Sequence, residues 1–104
     1  MFDRDSNRFA TFGIISQLPG EIIDSIWLII DQNLQGVMPL TNLLRFELLN
    51  QDGKLTVRFD AEDGKTQLAV DLPFAYDPAY PNEIMAYDDG DNQTILLPTE
   101  GHQA

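Results

Sequence analysis

The chain has no cysteine, and that one absence excludes disulfides, thiolate nucleophiles, zinc knuckles and iron–sulfur ligation together. Histidine occurs once, as His102 at the C-terminal end, so the nucleophile-plus-base arrangements built on Cys or His have no members in the body of the chain. Cations are scarce and confined: 17 acidic residues stand against 6 basic ones, and Arg4, Arg8, Arg45, Lys54, Arg58 and Lys65 all precede Thr66. The net charge of -11 repels phosphate backbones and anionic lipid, which argues against direct binding to nucleic acid or to a membrane surface. The longest apolar run, Ile26 to Ile30, is far short of the roughly 20 residues that cross a bilayer. The charged start, Met1 to Arg8, lacks the apolar run and small-residue cleavage site of a secretory signal. These absences together lead to the expectation of a soluble, cytoplasmic protein.

What remains is the composition of a folded body. The 104 residues are 43% apolar and include six Phe, three Tyr and one Trp, well outside the range of disordered chains. Folding a chain of this length buries roughly 65% of its unfolded surface, enough for one core. Residues 1–104 therefore read as a single domain, with 1–7 and 99–104 expected to fray at its ends.

The apolar periodicity predicts the elements. Arg8 to Ile15 is rich in aromatic and β-branched residues and reads as a first strand, closed by Ser16-Gln17-Leu18-Pro19-Gly20. A helix then starts near Pro19, with Glu21 and Asp24 at its positive end, and stops near Gly36. At 100° per residue Ile22, Ile23, Ile26, Trp27, Ile29, Ile30 and Leu34 share an arc of about 160°. Leu28 breaks that pattern by projecting from the polar arc; either the loop Val37-Met38-Pro39-Leu40 covers it, or it belongs to an interface.

Strand patterns follow. Leu44, Phe46 and Leu48 alternate with polar residues, Asn50-Gln51-Asp52-Gly53 turns, and Leu55, Val57 and Phe59 alternate in return. Gln67 to Leu72 extends this hairpin to a meander, and Pro73 to Pro81, with three prolines, reads as an ordered connector outside the sheet. Glu83 to Tyr87 and Thr94 to Leu97 flank Asp88-Asp89-Gly90-Asp91-Asn92 as a last hairpin. The predicted fold is α+β: one principal helix packed on a mostly antiparallel sheet of five to six strands, in the order β-α-β-β-β-β-β.

Candidates for chemistry are few. Ser6, Ser16 and Ser25 are accounted for by the chain start, the helix entrance and the polar helix face, and Lys54 and Lys65 sit beside turns. Carboxylates gather at Asp60, Glu62 and Asp63 and at Asp88, Asp89 and Asp91, but both groups surround a glycine turn, where acidic residues are expected for the turn itself. Acid–base pairs need environments that separate their pKa values, which exposed turns lack. The Asp88–Asn92 segment has neither the ligand spacing nor the terminal glutamate of a calcium loop. No catalytic residue, cofactor or metal is expected.

One resemblance spans nearly the whole chain. Arg8-Phe9-Ala10-Thr11-Phe12-Gly13, Leu18-Pro19 before a helix with Trp27 and Ile30-Asp31, Phe46-Glu47-Leu48, Tyr87-Asp88-Asp89-Gly90 and Leu96-Leu97-Pro98 together resemble the domain of unknown function 960 family. Those short proteins occur in Gram-positive bacteria and their phages. The resemblance implies an α+β fold and no assigned activity, cofactor or catalytic residue.

The charge leads to a first functional expectation: a non-enzymatic module that binds a protein through an acidic surface, the partner being basic or nucleic-acid-binding, with mimicry of nucleic acid as a specialised form. Its candidate surface is Leu28, Tyr76, Tyr80, Asp88, Asp89 and Asp91, with Trp27 directed instead to the core. A homodimer through open strand edges and Leu28 is the alternative. A small-ligand or metal-dependent activity through Asp60, Glu62, Asp88 and Asp91 is the third.

Overall fold

Thr11 ends the first strand earlier than its β-rich surroundings predict. In the computed structural model, which describes residues 7–34, 42–60 and 67–101, β1 covers only Asn7–Ala10, and Phe12–Gln17 forms helix α1. The Thr11 Oγ1 accepts from the Ile14 N–H at 3.3 Å and so caps α1. Ile14 and Leu18, four residues apart, then turn into the core. The expected strand Arg8–Ile15 is thus corrected to strand, cap and helix. Local β-propensity loses to a cap and two burial positions at helical spacing.

Helix α2, Gly20–Ile29, follows with Pro19 at its N-cap, and a π-helical turn, Ile30–Leu34, continues it. The predicted stripe is buried throughout, from Ile22 to Leu34. The regular α-helix is shorter than expected, and the proposed stop at Gly36 lies outside the described residues, as do residues 37–40.

Strands β2 (Leu43–Gln51), β3 (Lys54–Asp60) and β4 (Gln67–Ala75) form the meander, and β5 (Glu83–Asp88) and β6 (Asn92–Leu96) form the last hairpin. The sheet order is β1-β6-β5-β2-β3-β4. It is a mixed sheet rather than simply an antiparallel one: β1 lies parallel to β6, while the other neighbours are antiparallel. A parallel pair needs a long return path, and α1 and α2 lie on the path that leaves β1. The α+β class therefore stands, with α1 and a C-terminal turn, α3 (Pro98–Gly101), added to the principal helix.

Two expectations about irregular segments change. Pro73 belongs to β4 and not to a connector outside the sheet. Strand β4 is an edge strand, where a missing N–H is tolerated, and the ladder bulges there: Thr56 pairs with Asp71, but Lys54 pairs with Ala75. The C-terminal end is built into the fold as far as Gly101, where fraying was expected from Thr99. The Glu100 carboxylate accepts from the Leu97 N–H at 2.8 Å and from the Thr11 Oγ1 at 2.7 Å, which ties α3 to the cap of α1. Gly13 permits that approach, since a Cβ there would lie 2.9 Å from Leu97 Cδ1 and 3.0 Å from Glu100 Oε2. Asn7 is likewise in β1, paired with Asn92.

The core lies between α2 and one face of the sheet. Leu44, Phe46 and Leu48 of β2, Leu55, Val57 and Phe59 of β3, Ile84 and Ala86 of β5, and Ile95 of β6 alternate onto that face and are buried. Phe46 and Phe59 are direct cross-strand partners with ring centroids 5.5 Å apart. Phe46→Ala is expected to lower unfolding stability by about 3–5 kcal/mol, whereas Phe12→Ala, at an 84% exposed position, is expected to change it by less than ~0.5 kcal/mol. Urea denaturation of both variants checks the contrast, and a large loss at Phe12 would mean that α1 is buried on the opposite side.

Candidate functional site

The β5–β6 turn carries the acidic residues singled out by the sequence, and two of them build the turn. Asp88 alternates with Ile84 and Ala86 onto the core side of β5 and is buried. Its Oδ1 accepts from the Gly90 N–H at 2.8 Å, and its own N–H donates to the Asn42 carbonyl at 2.8 Å. The Asp89 Oδ1 accepts from the N–H groups of Asn92 at 2.7 Å and Asp91 at 2.8 Å. Gly90 closes the turn at φ 101°, a conformation that side-chain-bearing residues rarely adopt. Asp89 and Asp91 face solvent, so the turn still presents two carboxylates.

The other expected surface residues do not gather with them into one demonstrated cluster. Leu28 is 52% exposed on α2, and the loop expected to cover it lies outside the described residues. Tyr76 and Tyr80 are half-buried against the core, edge to face with centroids 6.3 Å apart. They hold the 76–82 connector, which must carry the chain from β4 across the ends of β3 and β2 to β5. Asp77 stabilises it by accepting from the Ala79 N–H at 2.9 Å. Asp60 is exposed and paired with Arg58 at 3.2 Å, while Glu62, Asp63 and His102 lie outside the described residues. No group of three or more His, Cys, Asp or Glu side chains suited to a metal occurs among the described residues. No helix among them is long and apolar enough to cross a membrane.

Two arrangements were not anticipated from the sequence. On the core side of β1, Arg8 meets Asp31 of the π turn through a two-point ion pair, Nη2 to Oδ1 at 2.6 Å and Nη1 to Oδ2 at 2.8 Å. Its Nε donates to Oε1 of the fully buried Gln93 at 2.9 Å, and its guanidinium stacks 4.7 Å from the centre of the Trp27 ring. The parallel register that sets Arg8 beside Gln93 is a tertiary fact, so the pairing has no signature in local sequence.

The second arrangement is the outer face of the sheet, which divides in two. Arg45, Glu47, Arg58, Asp60, Asn82 and Glu83 line a cleft of about 260 Å³. Its pairs Arg45–Glu83 at 3.5 Å and Arg58–Asp60 at 3.2 Å are exposed, and such pairs contribute little stability. Towards β1 the same face turns aromatic: Phe9 of β1 pairs with Thr94 of β6, and Thr94 with Tyr87 of β5. Phe9 and Tyr87 are exposed, and Phe12 and Ile15 on α1 are more exposed than either. Alternation combined with the strand order would have revealed this row, but the strand order was not legible.

Two measurements probe these contacts. Asp31→Ala removes the carboxylate from a largely buried guanidinium and is expected to cost about 3 kcal/mol in urea denaturation, whereas replacing Arg8 and Asp31 together with leucine costs much less. The backbone donors of Asn92, then Asp91, hold the Asp89 carboxyl below its ordinary value of 3.8. A carboxyl with a depressed folded-state pKa stabilises the fold above its unfolded value, and that contribution is lost as pH falls through the folded one. Asp89→Ala should therefore melt below wild type near neutral pH, and the difference should shrink as pH drops below 3.8. A difference that does not change with pH would show that the carboxylate's charge plays no part.

Comparison with known proteins agrees with the fold and adds no chemistry. A crystal structure described as a protein of unknown function from Enterococcus faecalis is 56% identical, covers 95% of this chain and 93% of its own, and superposes with a TM-score of 0.92. No curated protein matches the chain. The sequence profile of a family described as a staphylococcal protein of unknown function, domain of unknown function 960, matches residues 7–100. The chain therefore belongs to the domain of unknown function 960 family.

Proposed function

We propose that this protein is a non-enzymatic binding module that engages a protein partner through an acidic surface. The observation that carries this reading is the segregation of charge. Among the described residues, Arg45, Lys54 and Arg58 lie on β2 and β3, while Arg8 is turned inward against Asp31. The β1–β6–β5 side carries Asp89 and Asp91 in the turn and no outward cation among the described residues. A field of one sign on one side accelerates encounter with a partner of the opposite sign and selects against like-charged ones. A basic or nucleic-acid-binding protein fits that field, and in the mimicry form carboxylates occupy positions that phosphates would take.

The non-enzymatic part of the reading is supported by how the turn carboxylates are used. Asp88 and Asp89 are committed to backbone N–H groups and Asp60 to Arg58, so each of these carboxylates already serves the fold. Affinity capture from a lysate of a bacterium encoding the chain tests the proposal, using wild type and the Asp89→Asn/Asp91→Asn variant. The amide keeps the turn's acceptor while removing charge. A basic protein retained by wild type at about 50 mM salt, and lost from the variant or at about 300 mM, is the expected result. Retention indifferent to charge and salt, or no specific retention, would reduce the acidity to a solubilising feature.

A further inference from the structure

We infer that the aromatic row of the outer sheet face, with the exposed side of α1, is the docking surface for a cationic, amphipathic segment of a protein partner; the inference rests on the acidic-module reading and specifies where its affinity arises. Phe9 and Tyr87 flank Thr94 in register on three adjacent strands. At about 4.8 Å per strand their Cα atoms lie about 10 Å apart, a span that one docked segment covers. Phe12 and Ile15, three residues apart on α1, are exposed, while Ile14 and Leu18 turn into the core. Chain continuity keeps Phe12 within about 10 Å of Phe9.

Exposure of this kind is concentrated here. Phe9 is 51%, Phe12 84%, Ile15 58% and Tyr87 37% exposed, and Leu28 at 52% is the one other large apolar side chain so exposed among the described residues. Aromatic side chains lose little conformational entropy when they are covered, and they dominate binding energy where they occur.

Charge selects the occupant. The row lies in the half of the sheet that ends in the Asp89–Asp91 turn, since Asn7, two residues before Phe9, pairs with Asn92. The cation of that strand, Arg8, faces inward against Asp31. A second copy would bring like-charged halves together, and the anionic surface of a membrane is repelled for the same reason. A protein segment that alternates apolar residues with lysine or arginine meets both features, its apolar side chains on Phe9 and Phe12 and its cations towards Asp89 and Asp91.

Two short synthetic peptides of equal length and lysine content provide the test, one alternating lysine with leucine and the other lysine with serine. Their binding is followed by fluorescence anisotropy against wild type, Phe9→Ser/Phe12→Ser and Asp89→Asn/Asp91→Asn, with the fold of each variant checked by its melting curve. Wild type should bind the leucine peptide about tenfold tighter than the serine peptide. The phenylalanine variant should erase that preference, and the aspartate variant should weaken both peptides. Unchanged preference in the phenylalanine variant overturns the docking surface, and sensitivity to the aspartate change would then leave the acidic-module reading intact. Binding of neither peptide overturns both. A wild-type dimer in sedimentation velocity that dissociates on Phe9→Ser/Phe12→Ser would make a second copy the occupant and overturn the inference.

Discussion

The contact between Arg8 and Asp31 holds together the part of this fold that hydrogen-bond ladders secure least. Strand β1 has four residues, lies at an edge and pairs in parallel with β6 alone among the described strands. A four-residue parallel ladder is a weak attachment. The two-point ion pair, with the Gln93 amide and the Trp27 ring around the same guanidinium, joins that strand to the end of the principal helix and to the floor of the core. Planar geometry makes arginine suitable here: it presents parallel donors to a carboxylate while its flat face covers an indole. The π turn contributes by keeping Ile30 and Leu34 in the core while Asp31, between them, reaches Arg8.

This inward commitment of Arg8 has an electrostatic consequence. With that cation turned inward, the β1–β6–β5 side carries no outward cation among the described residues, while Arg45 and Arg58 pair with Glu83 and Asp60 at the charged cleft. The same sheet face therefore carries a cleft of paired charges on one half and the exposed Phe9 and Tyr87 on the other. The interaction that secures the edge strand thus also draws its cation away from the surface.

Much of the architecture was legible because it rests on short-range periodicity. The stripe from Ile22 to Leu34 and the alternations in β2, β3 and β4 are one-dimensional patterns that survive folding. Asp52 and Gly53, at φ 54° and 87°, form the tight turn that the Asp-Gly pair predicts. Segments where two local preferences compete were not legible. Phe12 to Ile15 looks like strand, yet Thr11 caps a helix there; Pro73 looks like a breaker, yet an edge position and a bulge accept it. Of the expected surface, Asp89, Asp91 and Leu28 face solvent, while Asp88 is buried and Tyr76 and Tyr80 are half-buried.

The charge excess, the apolar stripe of the helix and the existence of the hairpins follow from residue order alone, because each is a property of composition or of spacing within a few residues. That β1 lies beside β6, that Arg8 turns towards Asp31, and that Phe9 and Tyr87 share one row emerge only when the chain folds. Those relations depend on the order of strands in the sheet. That order is settled by which faces bury the most apolar surface when distant segments meet, a balance summed over the whole molecule that no short window of sequence contains.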